Sequence, residues 1–174
     1  MNPYFRQERP LWLKWAIYSL FLLLGLVLQT LPTAGLFGIK PLFILPLCLI
    51  VSLVEGEYEG ALFGAVGGLL WDWAAGRTVG LLTILLLAVC FLASVLFQVY
   101  LRNTAGNFGM LAALAALLVL SLDHLFFYVM PGYPSAAQHW LREVLPLAVL
   151  CFPVGLVARW VVLKVHLAFH PEEQ

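Results

Sequence analysis

The residues of this sequence that could do chemistry are a few acids and histidines placed within apolar runs. The stretch FGAVGGLLWDWAAGRTVG, residues 63–80, sets Asp72 between two tryptophans and spaces glycines around it. A carboxylate facing hydrocarbon costs about 2.5–3.5 kcal/mol on insertion scales, so such an acid is expected to face protein. The sequence has no H-E-x-x-H, G-x-S-x-G, P-loop or C-x-x-C pattern. We therefore predict no enzyme activity, no catalytic residue, no cofactor and no metal site.

A second polar group lies in the stretch SLDHLFFYVM, where Asp123 and His124 are adjacent. Consecutive helical residues point about 100° apart, so both side chains cannot face lipid at low cost. Asp72 lies about 18 Å into its predicted helix at 1.5 Å per residue, which places it near the same membrane face. We expect a polar network there, built either as structural ion pairs or as a ligand-lined cavity. Its candidate members are Asp72, Arg77, Asp123, His124 and Arg142.

The acids of the stretch EGEYEG, residues 55–60, form the third polar feature. Glu55, Glu57 and Glu59 have no basic residue near them in the sequence. They either favour the positive N-terminal end of the helix that follows, or they dock a basic cytoplasmic surface. Their alternating spacing is a poor chelate for a metal ion.

Small residues form a regular row around Asp72. In a helix, residues four apart form a narrow, slowly winding stripe, and small residues on it allow a second helix to approach closely. The stripe packs either another helix of this chain or a partner protein, and the last two glycines are expected beyond the helix end, where glycine suits a left-handed cap. The row consists of Gly60, Gly64, Gly68, Asp72, Gly76 and Gly80.

The elements that must position these residues follow from composition. Of the 174 residues, 63% are hydrophobic and 10% are charged, whereas a soluble domain has about 25% charged residues. Mean hydropathy is +0.99. The chain is therefore predicted to be an all-α integral membrane protein with one polytopic domain, residues 1–174. Lys plus Arg and Asp plus Glu number 9 each, so no net field attracts nucleic acid.

Six membrane-spanning helices are predicted from the apolar runs. The second and third are short, and they either span with help from their flanks or form a tight helical hairpin among the others. The longest connection is expected at residues 131–143. The predicted helices cover residues 11–30, 41–54, 60–75, 79–101, 107–130 and 144–163.

The basic residues predict the orientation. With six spans and a cytoplasmic N-terminus, six basic residues lie inside and three lie outside, which favours two cytoplasmic termini. The inner set is Arg6, Arg9, Lys14, Arg102, Arg159 and Lys164, and the outer set is Lys40, Arg77 and Arg142.

Residues 58–97 resemble the core of the bacterial rod shape-determining MreD family. That family has a glycine-spaced helix, then G-L-L-x-D, a short turn with glycine, and a helix rich in small residues. Ala75 departs from the pattern, because a small polar residue is common there. The matching residues are Gly64, Gly67 or Gly68, Leu69, Leu70, Asp72, Gly76 and Gly80.

The resemblance implies a non-catalytic scaffold of lateral peptidoglycan synthesis in the bacterial cytoplasmic (inner) membrane. Such proteins work with the single-pass protein MreC and, through it, with MreB, RodA and a class B transpeptidase. On this basis Asp72 and the glycine row would hold the transmembrane helix of the MreC-like partner.

Substrate-binding S components of energy-coupling-factor vitamin transporters are the alternative, since they are also six-helix proteins of this size. An S-component-like bundle is therefore possible. These proteins usually carry alanines at four-residue spacing in the first helix, for docking the coupling subunit. The first run here has none, although Ala112 and Ala116 have that spacing in the fifth run.

Overall fold

The computed structural model describes residues 11–31, 41–76, 80–100, 104–133 and 136–169, and all the regular structure in these ranges is helical. These ranges contain two π-helical turns, the first at Leu125–Val129 directly after α5 and the second at Trp140–Val144 between α6 and α7. The helices are α1 Leu11–Thr30, α2 Ile44–Glu55, α3 Glu57–Ala74, α4 Leu81–Val99, α5 Ala105–His124, α6 Ala136–His139 and α7 Leu145–Phe169.

Within the described residues, four helical segments are long and apolar enough to cross a membrane, which agrees with a membrane protein. α2 has 12 residues, which cover about 18 Å of a hydrocarbon core about 30 Å thick. The six crossings stay a prediction, because length and composition identify four. The four segments are Leu11–Thr30, Leu81–Val99, Ala105–Val129 and Ala137–Phe169.

α2 and α3 form a tight helical hairpin. Gly56 alone separates them and has a φ of +107°, a conformation that residues with a Cβ rarely adopt. Every residue of α2 from Ile44 to Ser52 is buried, and α2 packs against α1, α3, α4, α5 and α7. α2 is therefore the centre of the bundle, whereas α3 leaves one face exposed. A tight hairpin was one of the two alternatives open from the sequence.

The connection predicted at residues 131–143 is shorter in the structure, because residues 136–143 are helical. The helix begins at Ala136, eight residues before the predicted start, and continues through the second π-turn to Phe169. The polar residues before Val144 suggested a connection, yet no Gly or Pro interrupts 136–144. Polar side chains on an exposed turn do not oppose helix formation, so the absence of helix breakers was the better indicator.

The bundle has two ends that carry different polar groups. The first turns of α1 and the last turns of α7 lie at one end, which we name the termini end. The opposite end holds the C-terminus of α3, the N-terminus of α4 and both π-turns, and we name it the cavity end. Between them α5 and α7 pack closely, with the position of a Cβ on Gly155 only 3.1 Å from the Ala112 Cβ.

Candidate functional site

Asp72 closes the turn between α3 and α4 at the cavity end. Its side chain is buried, with 1% of the residue exposed. It accepts hydrogen bonds from the backbone N–H of Gly80 at 2.9 Å and from the hydroxyl of Thr83 at 3.4 Å. Gly80 directly precedes α4, so the carboxylate caps the positive N-terminal end of that helix. The geometry assigns Asp72 a part in joining α3 to α4.

The partners expected for Asp72 are corrected by this geometry. An ion pair with Arg77, His124 or Arg142 was expected. The hydrogen bonds described above come instead from the two residues at the start of α4. Arg77 lies outside the described residues, and Arg142 is exposed. A helix N-terminus already supplies donors and positive potential, so the acid needs no basic side chain there. Of the described members of the predicted network, none donates either of the two hydrogen bonds that Asp72 accepts.

Asp123 and His124 line a separate cavity of about 460 Å³ at the cavity end. Residues from α1, α3, α5 and both π-turns meet there, and Asp123 and His124 are 8% and 6% exposed. We name it the polar cavity. Its polar and aromatic lining residues are Gln29, Thr30, Trp71, Asp123, His124, Tyr128, His139 and Glu143.

Aromatic rings and a His–Glu contact line one side of the polar cavity. The His124 and Tyr128 rings stack with centroids 4.8 Å apart, and the Tyr128 ring meets the His139 ring at 4.3 Å. His139 Nδ1 lies 2.9 Å from Glu143 Oε1, one helical turn away. Tyr128 and Glu143 belong to the two π-turns, and π-helical turns occur frequently at functional sites.

The sequence prediction missed several residues of this cavity. Tyr128, His139 and Glu143 were outside the predicted network, although His139 and Glu143 have the i, i+4 spacing of helical neighbours. That spacing is informative once residues 136–144 are treated as helix. No group of three His, Cys, Asp or Glu in the described parts of the chain is arranged to hold a metal ion.

The glycine row packs inside the chain. A Cβ on Gly60 would lie 2.1 Å from the Ser52 Cα of α2, and a Cβ on Gly68 would lie 2.5 Å from the Leu82 carbonyl oxygen of α4. Gly64 likewise faces Cys90, with 2.7 Å to its sulfur, and Gly67, absent from the predicted row, faces Cys48 of α2 at 2.6 Å. The prediction that this stripe holds a partner helix is therefore wrong, because α2 and α4 already occupy it.

The last two glycines of the row have a different role. Gly76 and Gly80 lie in the turn after α3 with φ of +63° and +126°. Each would have open space around an added Cβ, so the backbone conformation, rather than a close contact, favours glycine there.

The acidic stretch at the termini end divides into a buried acid and two acids near the surface. Glu55 accepts hydrogen bonds from Lys14 Nζ at 2.5 Å and from the Tyr18 hydroxyl at 2.8 Å. His166 Nδ1 of α7 lies 3.1 Å from the same carboxylate. The side chains of Lys14 and Glu55 are 4% and 5% exposed. Together these four residues form what we name the buried ionic cluster.

Glu57 and Glu59 stand in the first turn of α3, as the helix-dipole interpretation expects. Glu57 accepts a hydrogen bond from Gln98 Nε2 of α4 at 2.8 Å in an exposed position, and Glu59 is exposed. Glu55 therefore has basic partners in the fold, although none is near it in the sequence. Its partners are distant in sequence, and the available signal was Lys14 itself, a charge within an apolar run that requires a partner.

An apolar groove of about 320 Å³ runs between α1, α2 and α7. Pro153, which cannot donate a backbone hydrogen bond, lies within α7 at this groove. Groove residues include Gly25, Phe43, Leu47, Pro153, Val154 and Val157.

The family comparison matches most of the chain. The family model described as rod shape-determining protein MreD matches residues 10–139. A search of curated proteins and a search of solved structures each found no match. The matched range includes α1 to α5, the α3–α4 turn with Asp72, and the part of the polar cavity that these elements supply.

Proposed function

We propose, from the fact that this chain belongs to the MreD family of rod shape-determining proteins, that it is a non-catalytic membrane scaffold of the bacterial cell-elongation machinery. The observation that carries the proposal is the family match over residues 10–139. The proposed location is the cytoplasmic (inner) membrane with both termini in the cytoplasm. The scaffold binds a single-pass MreC-like protein and acts through it on MreB, RodA and a class B transpeptidase.

The partner helix is proposed to lie in the apolar groove. The glycine row is filled by α2 and α4, so a helix from outside needs another concave surface. Groove residue Val157 is 63% exposed, which leaves it available to a partner. Helices in lipid associate through close packing, because lipid chains remove the hydrophobic drive. A groove with apolar walls offers more contact area to a single helix than a convex face does.

Filling the groove tests this placement. Val157→Trp adds bulk to the groove, while Val149→Trp on the same helix is the matched control, since Val149 is 62% exposed and does not line the groove. We expect Val157→Trp to reduce co-purification of the MreC-like partner at least about fivefold, or roughly 1 kcal/mol. Equal recovery with both variants at equal membrane levels would remove the groove from the proposal.

The scaffold role itself is tested separately, by depletion of the native protein in rod-shaped cells. We expect the plasmid-borne chain to restore rods, with loss of rods in Val157→Trp cells. Round cells despite normal membrane levels of the unaltered chain would contradict the scaffold role, whatever the groove result.

An S component of a vitamin transporter is the second candidate, favoured by the polar cavity. Its volume of about 460 Å³ lies within the range of small-molecule sites. However, Ala112 and Ala116 are buried and cannot dock a coupling subunit. Native mass spectrometry of the purified protein separates the two functions, because a stoichiometric bound vitamin would replace the scaffold proposal.

A further inference from the structure

We infer that α1 is a hinged strap, whose N-terminal half can separate from the bundle while its C-terminal end stays attached, and that the buried ionic cluster holds this half closed. The inference concerns a conformational device of the fold and does not depend on which partner binds the chain. It rests on how little of α1 is buried and on the polar contacts that attach each end of α1 to α2.

Little of α1 is buried in the bundle. Four of its 20 residues are buried, whereas nine of the 12 residues of α2 are buried. The rings of Trp15 and Tyr18 meet the Phe63 ring of α3, with centroids 6.2 and 6.4 Å apart. Lipid gives a helix no hydrophobic drive, so contact area and polar contacts must hold it. Because the contact area of α1 is small, its polar contacts are important. Its buried residues are Lys14, Tyr18, Leu22 and Gly25.

These polar contacts attach α1 to the two ends of α2. At the termini end, Lys14 and Tyr18 donate hydrogen bonds to Glu55, the last residue of α2. At the cavity end, Gln29 Oε1 accepts hydrogen bonds from the backbone N–H groups of Phe43 and the residue after it, at 3.3 and 3.5 Å. α1 therefore lies along α2 with one polar attachment at each end.

The two attachments differ in charge, so they differ in how they are released. The bonds of Gln29 join neutral groups, whereas the bond from Lys14 to Glu55 joins an ammonium to a carboxylate, with side chains 4% and 5% exposed. Loss of the carboxylate charge would leave the ammonium buried without its counter-ion, which is strongly unfavourable. Lys14 is the fourth residue of α1, so an outward tilt of this end brings its ammonium to water. The termini end of α1 therefore opens, and the Gln29 end is the hinge.

Opening of the strap separates α1 from α7. His166 of α7 lies 3.1 Å from the carboxylate of Glu55, so the closed cluster holds both helices at one point. Phe21 and Leu24 of α1 line the apolar groove together with Val157 of α7. A tilt of α1 about its Gln29 end widens this groove. The buried ionic cluster therefore sets the width of the apolar groove.

The first experiment uses the unaltered full-length protein in detergent with increasing denaturant. A water-soluble amine reagent reports the exposure of Lys14, and a thiol reagent reports the exposure of the core through Cys48, Cys90 and Cys151, which are all buried. Peptide mass spectrometry reads both modifications. We expect half-modification of Lys14 at a lower denaturant concentration than that of any of the three thiols, because the strap opens before the bundle unfolds. Modification of Lys14 and the thiols at the same concentration would overturn the inference.

The second experiment measures distances between spin labels in Glu55→Gln by pulsed electron paramagnetic resonance. Labels at Ala16→Cys of α1 and Trp160→Cys of α7 report the opening. Labels at Met110→Cys of α5 and Trp160→Cys are the matched control, and all three positions are exposed. We expect the α1–α7 distance to increase by about 5 Å, because Lys14 lies about one helical turn inside the start of α1. The α5–α7 distance should stay unchanged.

The double variant Lys14→Met with Glu55→Gln separates the effect of the charge from the effect of the lost hydrogen bonds. It has no buried ammonium to expose, so we expect the α1–α7 distance of the parent protein. The inference would be overturned by an unchanged α1–α7 distance in Glu55→Gln or by equal increases in the test and control pairs. A double variant as open as Glu55→Gln would also overturn it.

Discussion

The buried ionic cluster should be the most sensitive polar feature of the bundle to single substitutions. Lys14→Met and Glu55→Gln each remove one charge of the pair while keeping a similar side-chain volume. The remaining charge is then buried without its counter-ion, because the two side chains are only 4% and 5% exposed. Removing one partner of such a pair costs about 3–5 kcal/mol of the free energy of unfolding.

The contacts that remain around each buried charge indicate how large the loss of unfolding free energy should be in each single variant. In Lys14→Met the carboxylate keeps the Tyr18 hydroxyl and the His166 ring as neighbours, so the cost should lie near 3 kcal/mol, the lower end of the range. In Glu55→Gln the ammonium of Lys14 loses its carboxylate, so the cost should approach the upper end. The double variant has no buried charge of this pair, and it should cost at least about 2 kcal/mol less than the sum of the two single variants.

Denaturant unfolding of the purified protein in detergent measures these free energies in a double-mutant cycle. The control is Glu57→Gln, which removes an acid whose hydrogen bond to Gln98 is exposed and should change the free energy of unfolding by less than about 0.5 kcal/mol. Single variants that match the control, or costs that add without coupling, would refute the cluster as a stabilising unit.

Three further predictions concern the turn, the glycine row and the topology. Asp72→Asn keeps an acceptor for the Gly80 N–H and should lower the free energy of unfolding by about 1–2 kcal/mol, while Asp72→Leu should lower it by about 2–4 kcal/mol. A Leu variant as stable as the parent would contradict the capping role. Gly68→Ala should lower the free energy of unfolding by about 1–3 kcal/mol, because the added Cβ meets backbone atoms of α4. The control Gly106→Ala has open space around the added Cβ and should be neutral or stabilise the protein by up to about 1 kcal/mol. Equal stabilities of the two variants would show that α4 can move away. A reporter active only in the periplasm should be silent at the C-terminus, and a strong signal there would exclude an even number of crossings with a cytoplasmic N-terminus.

The family assignment shows how far local sequence pattern reaches. The glycine spacing and the G-L-L-x-D stretch indicated the MreD family, and the family comparison confirms it. These features could be read from the sequence because they lie within about 40 neighbouring residues. The tight turn also left a local signal, since Gly76 and Gly80 stand where the backbone takes positive φ.

The candidate site was predicted only in part, because its residues come from separate helices. Asp123 and His124 were identified as polar residues inside an apolar run, and they do line a cavity. Their neighbours Tyr128 and His139 carry no such local mark, and His139 was read as part of a connection. Asp72 was predicted to face protein, but its hydrogen bonds come from Gly80 and Thr83 at the start of α4 rather than from a basic side chain.

The sequence by itself determined the membrane class, the helical fold and the family, because composition, apolar run length and residue spacing are properties of neighbouring residues. Only the tertiary structure decided that the glycine row faces α2 and α4, and that Glu55 meets Lys14 and His166, which are 41 and 111 residues away in the sequence. The physical reason is that hydrogen bonds and ion pairs require separations of a few ångströms. Helix packing sets those separations, and it is fixed by contacts along whole helices.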